Sequence, residues 1–235
     1  MTRLRAFFDA RFYPSPHLIP MLVPIALDRW DEAEEYVASR PRWMSFLDAA
    51  QEYAQSYWDR YPSRRSVQLT TCNYREAAAG LLSAGWAIGE PLTRLSGLRF
   101  VEWGCGFGGV TGAAALLGMQ AVGIEAQDFL CRQAARLWQD HAVAATVWSG
   151  NFLPRGAENL WLPHEPRVAL DVSAPDVYEK TGTSPQDFDL FFAYPWPGEE
   201  RFIERVFDEF ARGGAYLLLY RGPYHLELWR KGTTQ

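Results

Sequence analysis

Residues 98–126, LRFVEWGCGFGGVTGAAALLGMQAVGIEA, constrain the fold more than any other stretch of this chain. A short apolar run leads into a turn with four glycines, a helix of small residues follows, and a second apolar run ends at Glu125. Glycines permit positive φ and let backbone amides approach a ligand, and the helix presents its electropositive N-terminus to the same point. A carboxylate that ends the second strand can accept hydrogen bonds from two ribose hydroxyls. The pattern therefore predicts a βα unit that binds a nucleotide-like ligand.

The chain beyond this unit continues in the same manner. Short apolar runs alternate with helical segments, which is typical of a parallel α/β sheet. We predict further strands within residues 144–152, 189–193, 215–220 and 225–231, and a helix over 199–212 with Phe202, Val206 and Phe210 on one face. Residues 167–172, RVALDV, look extended and could add an edge strand.

Residues 1–97 have a different pattern and are predicted to form a mainly helical cap on the substrate side, separate from a domain at 98–235. One helix is expected in LDRWDEAEEYVASR, with Pro41 as its stop. Another begins near Asn73, because Glu76 three positions later is typical of a capping box. Its end is expected at one of Gly80, Gly85 or Gly89.

The glycine turn satisfies two ligand motifs at once. Gly104, Gly106 and Gly109 match GxGxxG, the pattern of dinucleotide-binding sites. Glu102, Gly104, Gly106 and Gly108 match ExGxGxG, which resembles motif I of the class I S-adenosylmethionine-dependent methyltransferases. A carboxylate just before the loop repels a pyrophosphate, whereas adenosylmethionine brings a sulfonium and an ammonium group. Glu102 therefore favours the resemblance to the methyltransferases over the dinucleotide motif.

This resemblance implies a Rossmann-like, doubly wound, mostly parallel sheet with helices on both faces. It implies S-adenosyl-L-methionine as cofactor, with S-adenosyl-L-homocysteine as product. In this family an Asp often reads the adenine amino group and an apolar residue packs on the ring, and Asn can also accept that hydrogen bond. The cofactor-binding residues implied are Glu102, Gly104, Cys105, Gly106, Gly108, Glu125, Asn151, Phe152 and Tyr194. The family usually completes its sheet with a helix and two strands, but the chain after Arg221 has room for one strand, so the seventh strand is left open.

Candidate catalytic residues follow from the same resemblance. The strand predicted at 189–193 runs into Tyr194, Pro195, Trp196 and Pro197, the position of motif IV. Amine-methylating enzymes commonly have Asn or Asp there, followed by two prolines and an aromatic residue, so Tyr194 and Trp196 argue against base-amine methylation of the common nucleic-acid type. His164 and His225 both follow strands and could take a proton near neutral pH.

Charge and cysteine content restrict the classes of partner and the cellular environment that the sequence allows. Residues 1–97 carry eleven arginines and eleven acidic side chains, so the net charge of −5 lies entirely in residues 98–235 and repels nucleic acid there. The three cysteines are far apart and form no CxxC pair, which argues against a disulfide framework and a thiolate metal site and favours a reducing cytoplasm. No signal peptide or membrane span is visible, since a span needs roughly 20 apolar residues.

The sequence thus predicts a cytoplasmic methyltransferase that acts on a small molecule, without a nucleic-acid, membrane or metal partner. Three alternatives remain open: a nicotinamide oxidoreductase, an RNA or protein methyltransferase, and a protein that binds the cofactor without transferring the methyl group. Aromatic residues of the cap either line an apolar acceptor cavity or pack the helices together. They are Phe7, Phe8, Phe12, Tyr13, Tyr53, Tyr57, Trp58 and Tyr61.

Overall fold

A seven-stranded sheet forms the centre of the protein. The computed structural model describes residues 22–60, 71–89, 92–165 and 176–233. The strand order across the sheet is β1-β7-β6-β5-β2-β3-β4. The strands are β1 (Leu22–Ile25), β2 (Arg99–Trp103), β3 (Gln120–Glu125), β4 (Thr146–Ser149), β5 (Leu190–Ala193), β6 (Tyr216–Gly222) and β7 (His225–Lys231).

Five strands run parallel and bring their carboxyl ends to one edge. The parallel pairs are β2 with β3, β3 with β4, β2 with β5 and β5 with β6. β7 returns antiparallel to β6. The strand order reverses direction between β2 and β5, and in open α/β sheets ligands bind in the crevice at such a point.

Helices cover both faces of this sheet, as expected for a doubly wound Rossmann-like fold. Residues alternate along β2, so Phe100 joins the core on the first face and Val101 joins the core on the second. The first face carries α1 (Trp30–Ala38), α2 (Pro41–Arg60), α3 (Tyr74–Ala87), α4 (Gly109–Leu116) and α5 (Asp128–Asp140). The second face carries α6 (Val177–Thr181) and α7 (Glu200–Phe210). Within the described residues, 3₁₀ segments lie at Leu92–Gly97, Ala157–Leu160 and Pro185–Asp187.

The seventh strand comes from an unexpected part of the chain. β1 pairs antiparallel with β7, with Leu22 opposite Lys231, and therefore runs parallel to the five central strands. The segment predicted as a mainly helical cap thus contributes one strand to the sheet. The alternative edge strand expected at residues 167–172 lies outside the described residues.

The helices of the N-terminal region pack directly on the sheet. Side chains of α1, α2 and α3, including Phe46 and Leu81, share one buried cluster with Phe100 and Leu218 of the strands. These helices therefore supply a layer of the α/β fold. The division into domains at 1–97 and 98–235 stays a prediction.

Local sequence signals explain where α3 and α2 begin, and the start of α2 corrects an expectation. α3 begins as predicted, because the Asn73 side chain accepts hydrogen bonds from the amides of Arg75 and Glu76. It runs through Gly80 and Gly85 and ends before Gly89. Pro41 does not stop a helix but opens α2, where the missing amide of a proline costs nothing. Among the described helices, none has the length and apolar character needed to cross a membrane.

Candidate functional site

The glycine turn connects β2 to α4 at the carboxyl edge of the sheet. Gly104, Gly106 and Gly108 have φ values of 76°, 53° and 75°, a region that other residues rarely adopt. The amides of Gly104 and Cys105 both donate to the carbonyl oxygen of Ile124 at 2.9 Å, which ties the turn to β3. The turn predicted from the sequence is therefore present. Its glycines adopt positive φ values, which is why glycine is needed at these positions.

One side of this turn is packed against the protein and the other is open. A Cβ placed on Gly108 would lie 2.5 Å from the Trp138 ring, and one on Gly109 would lie 2.5 Å from the Tyr74 ring. A Cβ on Gly104 would meet no atom within 4 Å. The backbone around Gly104 is thus accessible to a ligand, while the neighbouring glycines allow the helices to approach.

Glu125 ends β3 beside the open side of the turn. Its Oε2 accepts a hydrogen bond from the Gly106 amide at 3.0 Å, and its Oε1 accepts one from the Gln127 amide at 2.9 Å. The side chain is buried, and burial raises the pKa of its carboxyl group although both amides oppose this. Each carboxylate oxygen can accept a second hydrogen bond, so ribose hydroxyls remain compatible with this arrangement.

Glu102 lies buried beneath the same turn. Its Oε2 accepts hydrogen bonds from the Thr111 amide at 2.7 Å and the Thr111 hydroxyl at 2.5 Å, in the first turn of α4. A carboxylate is favourable there because of the helix dipole. Burial nevertheless raises its pKa to about 8. The immediate partner of Glu102 is therefore a helix N-terminus, and its expected contact with a cationic ligand stays a prediction.

Cys105 is enclosed rather than presented to a ligand. The side chain is 3% exposed, and a Cβ on Gly123 would lie 2.6 Å from its sulfur. Burial raises the pKa of its thiol well above the ordinary value. A contribution of Cys105 to a ligand site is therefore confined to its backbone. The described residues contain no group of three or more His, Cys, Asp or Glu placed to hold a metal ion.

Asn151 and Phe152 follow β4 along the same edge. The Asn151 Oδ1 accepts a hydrogen bond from the Leu153 amide at 2.9 Å and so closes a local turn. The Phe152 ring stacks on Trp103, the last residue of β2, with ring centroids 5.3 Å apart and planes 13° apart. Trp103 in turn donates from its indole nitrogen to the Tyr178 hydroxyl at 2.9 Å. Phe152 is partly buried and already has one aromatic neighbour, so its predicted packing on adenine would use the remaining surface.

Tyr194 and Trp196 stand at the end of β5, at the point where the strand order reverses. Both side chains are half-buried. The Tyr194 ring meets the Tyr220 ring edge-on, with centroids 4.8 Å apart. Burial raises the pKa of the Tyr194 phenol, and the nearby Cys72 and Glu76 raise it further. Tyr194 is therefore a neutral phenol at physiological pH.

The two candidate histidines lie in different surroundings. His164 is exposed in the loop after β4, between Trp161, which packs on Phe202 of α7, and Glu165, which pairs with Arg205 of α7. His225 begins β7, and its exposed ring lies 3.1 Å from Glu227. The structure shows neither ring in contact with Tyr194. Their catalytic role stays a prediction.

Three residues at this edge were not recognised as site candidates from the sequence. Tyr74 packs on Gly109, Tyr220 packs on Tyr194, and Glu76 hydrogen-bonds to Tyr220. The sequence places Glu76 in a capping box with Asn73, but its carboxylate instead accepts from the Tyr220 hydroxyl and the Tyr224 amide. The sequence offers one signal for this role. In NYREAAAGLLSAGWA, Glu76 is the only acidic residue among mostly small and apolar ones.

The described aromatic residues of the cap pack against the glycine turn and α5. Tyr57 contacts Phe107 of the turn at 5.6 Å between ring centroids, Phe129 at 5.8 Å and Trp58 at 5.2 Å. Tyr53 and Tyr57 also line a groove of about 460 Å³ between α2 and α5. The rest of the predicted aromatic set, at positions 7, 8, 12, 13 and 61, lies outside the described residues.

Comparisons with known proteins bear on this site only weakly. No protein-family model and no curated protein matches the sequence. An RNA methyltransferase from Salinibacter ruber in complex with S-adenosyl-L-homocysteine has 13% identity and a TM-score of 0.40, over 61% of this chain and 92% of that one. An O-methyltransferase from Bacillus cereus, also in complex with S-adenosyl-L-homocysteine, has 14% identity and a TM-score of 0.47, over 83% of this chain and 74% of that one. Identities and TM-scores this low do not establish an activity for this chain.

Proposed function

We propose that this protein is a class I S-adenosylmethionine-dependent methyltransferase that acts on a small-molecule acceptor. The observation that carries the proposal is the pairing of an open glycine turn with Glu125. Gly104 offers accessible backbone at φ 76°, and the carboxylate that ends the neighbouring strand lies 3.0 Å from the Gly106 amide. A nucleoside with a charged tail requires such a combination of backbone approach and a hydroxyl-binding acid.

The side chains at this edge suit adenosylmethionine by their chemistry. Glu125 can accept from the ribose hydroxyls, and Asn151 and Phe152 follow the next strand, where an adenine ring is expected. The backbone around Gly104 is open to the amino-acid portion of the cofactor. These residues hold and orient the nucleoside in the proposed complex.

Glu102 supports adenosylmethionine over a dinucleotide. Glu102 and Glu125 both border the turn, and each has a pKa raised by burial. A pyrophosphate placed there would oppose the ionisation of both acids and leave them without a cationic partner, whereas the cationic end of adenosylmethionine would favour their ionised forms and attract them. A nicotinamide oxidoreductase is therefore the weaker alternative.

The protein's own contribution to catalysis is alignment and the exclusion of water. The cofactor, when bound, supplies a methyl group on a sulfonium that is already a good leaving group. Tyr194 and Trp196, at the end of β5, shape the space in which an acceptor would be held in line with that methyl carbon. Because Tyr194 keeps its proton, it can donate a hydrogen bond to an acceptor oxygen or nitrogen but does not serve as a base at neutral pH.

The small-molecule acceptor is favoured by charge. The acidic excess of −5 in residues 98–235 opposes a polyanion along the domain that carries the site. Tyr194 and Trp196 also replace the polar and proline residues expected for methylation of base amines in nucleic acids. Cytoplasmic localisation belongs to the same proposal.

Calorimetry with adenosylmethionine, adenosylhomocysteine and NAD tests the cofactor. We expect both adenosyl compounds to bind and NAD not to bind; tight NAD binding without a response to adenosylhomocysteine would overturn the proposal. The acceptor is then sought by adenosylhomocysteine release from a panel of small phenols, amines and carboxylic acids, with bulk transfer RNA as the nucleic-acid arm. Turnover on the RNA alone would replace the small-molecule acceptor with RNA.

A further inference from the structure

A buried carboxylate connects helix α3 to the hairpin between β6 and β7. Glu76 lies in the first turn of α3 and is 3% exposed. Burial raises the pKa of its carboxyl group. A buried acid at this position costs stability, and an apolar residue of similar size would often be tolerated better. The arrangement around Glu76 therefore calls for an explanation beyond packing.

Both oxygens of Glu76 reach residues far along the chain. Its Oε2 accepts a hydrogen bond from the Tyr220 hydroxyl at 3.2 Å, and its Oε1 accepts one from the Tyr224 amide. Tyr224 is the hairpin residue with φ 58°, a left-handed conformation that is unusual outside glycine. Glu76 thus fixes the end of β6 and the tip of the hairpin at the same time.

Tyr220 passes this constraint to the proposed acceptor site. Its side chain is 1% exposed, so its ring has little freedom to move. It meets Tyr194 edge-on at 4.8 Å between centroids, and edge-to-face contacts of aromatic rings depend on their orientation. A displacement of Tyr220 therefore changes the support of the Tyr194 ring.

We propose that Glu76 is a positioning residue of the acceptor site: its buried carboxylate orients Tyr220, and the ring of Tyr220 orients Tyr194. This inference rests on the proposed function for its catalytic consequence, but the chain of contacts from Glu76 to Tyr194 can be tested without any turnover. Glu76 touches no acceptor in this scheme, since Tyr220 and Tyr194 lie between.

Glu76→Gln is the informative substitution. The amide side chain has nearly the same shape but one oxygen, so it cannot accept from both the Tyr220 hydroxyl and the Tyr224 amide. Tyr220→Phe removes the hydroxyl and keeps the ring beside Tyr194. If Glu76 acts through Tyr220, the double variant should alter the Tyr194 environment no more than Glu76→Gln alone does.

Glu204→Gln is the matched control. Glu204 is a partly buried acid on α7 that pairs with Arg221, so it supports the same hairpin from the other face of the sheet. It has no contact with the Tyr220 hydroxyl among the hydrogen bonds of the described residues. The control therefore separates a general loosening of the hairpin from the specific connection to Tyr194.

The first readout is nuclear magnetic resonance of protein labelled with ¹³C at tyrosine Cζ. The chain has eleven tyrosines, and the variants Tyr194→Phe and Tyr220→Phe identify the signals of these two residues. We expect Glu76→Gln to move both signals and Glu204→Gln to move neither. An unmoved Tyr194 signal in folded Glu76→Gln protein would overturn the proposal. Because the charge of Glu76 also acts on Tyr194 directly, Tyr220→Phe is measured as well: a Tyr194 signal that moves in Glu76→Gln but not in Tyr220→Phe would overturn the proposal. If Glu76→Gln fails to fold, an unmoved Tyr194 signal in Tyr220→Phe has the same meaning.

The second readout separates this inference from the proposed function. Adenosylhomocysteine affinity, measured by calorimetry, should be unchanged in Glu76→Gln, while methyl transfer to the acceptor found in the panel should fall about 10-fold or more, since small misplacements are costly in rate. Unchanged transfer with wild-type cofactor affinity would remove Glu76 from the acceptor site. Absence of adenosylhomocysteine binding in the wild-type protein would instead refute the proposed function and leave the resonance test of the contacts standing.

Discussion

The carboxylate of Glu125 accepts a hydrogen bond from the amide of Gly106 at 3.0 Å, so the end of β3 is joined directly to the glycine turn. This contact gives Glu125 two tasks, because the residue proposed to bind the ribose also holds the backbone that faces the rest of the cofactor. Its removal should therefore affect affinity through both routes.

We expect Glu125→Ala to weaken adenosylhomocysteine binding by about 1–3 kcal/mol, the range for leaving hydrogen-bond donors without a partner. Glu158→Ala is the control, since the Glu158 side chain likewise accepts from a glycine amide, that of Gly156 at 3.0 Å, in a different loop. Calorimetry gives the affinities, and circular dichroism confirms that both variants are folded. Equal affinities of the folded Glu125→Ala and wild-type proteins would contradict the proposal that Glu125 binds the ribose hydroxyls.

Gly104→Ala should reduce cofactor affinity more than it reduces stability. The new methyl group meets no protein atom within 4 Å, so the folding penalty comes from the φ of 76° and is roughly 1–2 kcal/mol. A bound ligand, in contrast, would have to avoid that methyl group. Gly182→Ala, at φ 67° and equally open, measures the backbone strain alone. Thermal unfolding and adenosylhomocysteine calorimetry are compared, and the same small loss of affinity in both variants would contradict a ligand at Gly104.

The stability of the protein should fall as the pH rises through the neutral range. Glu102 has a folded-state pKa of about 8 against an ordinary value of 4.5, so the folded protein retains a proton that the unfolded chain releases. Stability is full below the ordinary value and declines up to the folded-state value, by at most about 1.4 kcal/mol per pH unit. Glu76 and Glu125 act in the same direction.

Glu102→Gln tests the origin of this pH dependence. The amide oxygen can still accept from Thr111, but the group no longer titrates. Urea unfolding in a series of buffers between pH about 5 and about 8 should give a shallower slope in the variant than in the wild type. Identical slopes would mean that Glu102 is ionised in the folded protein throughout this range.

Tyr194→Ala should lower methyl transfer far more than it lowers adenosylmethionine affinity, because a displacement of the acceptor by about 1 Å can cost ~100-fold in rate. Since burial keeps the phenol protonated, Tyr194→Phe should retain most of the activity if the ring is a wall and lose it if the hydroxyl donates to the acceptor. Rates come from adenosylhomocysteine release with the acceptor from the panel. Wild-type transfer rates in Tyr194→Ala would exclude the residue from the site.

Signals that act over a few residues were sufficient for much of the fold. The glycine turn, the N-cap at Asn73 and the apolar face of α7 are each encoded within one element, and β7 spans the residues expected for it. β1 escaped prediction because its short apolar run contains Pro24, which disfavours a strand unless it lies at an edge. The position of β1 at the end of the strand order makes the proline acceptable.

The site was predictable in part for the same reason. Glu125 and the glycines lie close together in one βα unit, so their proximity follows from local pattern and the geometry of parallel strands. The partners of Glu76 lie 144 and 148 positions away. No local pattern can specify such contacts, and a plausible local use, the capping box, conceals them.

The pairing of β1 with β7 also has a consequence for how the chain folds. Leu22 and Lys231 are neighbours in the sheet although more than two hundred residues separate them. Closing so long a loop carries a large entropic cost, and contacts of high sequence separation slow folding. During synthesis on the ribosome, β1 emerges before the other described strands, and nearly the whole described chain must follow before its partner exists. We therefore expect completion of this edge to be a late event in folding, with the central parallel strands assembled first.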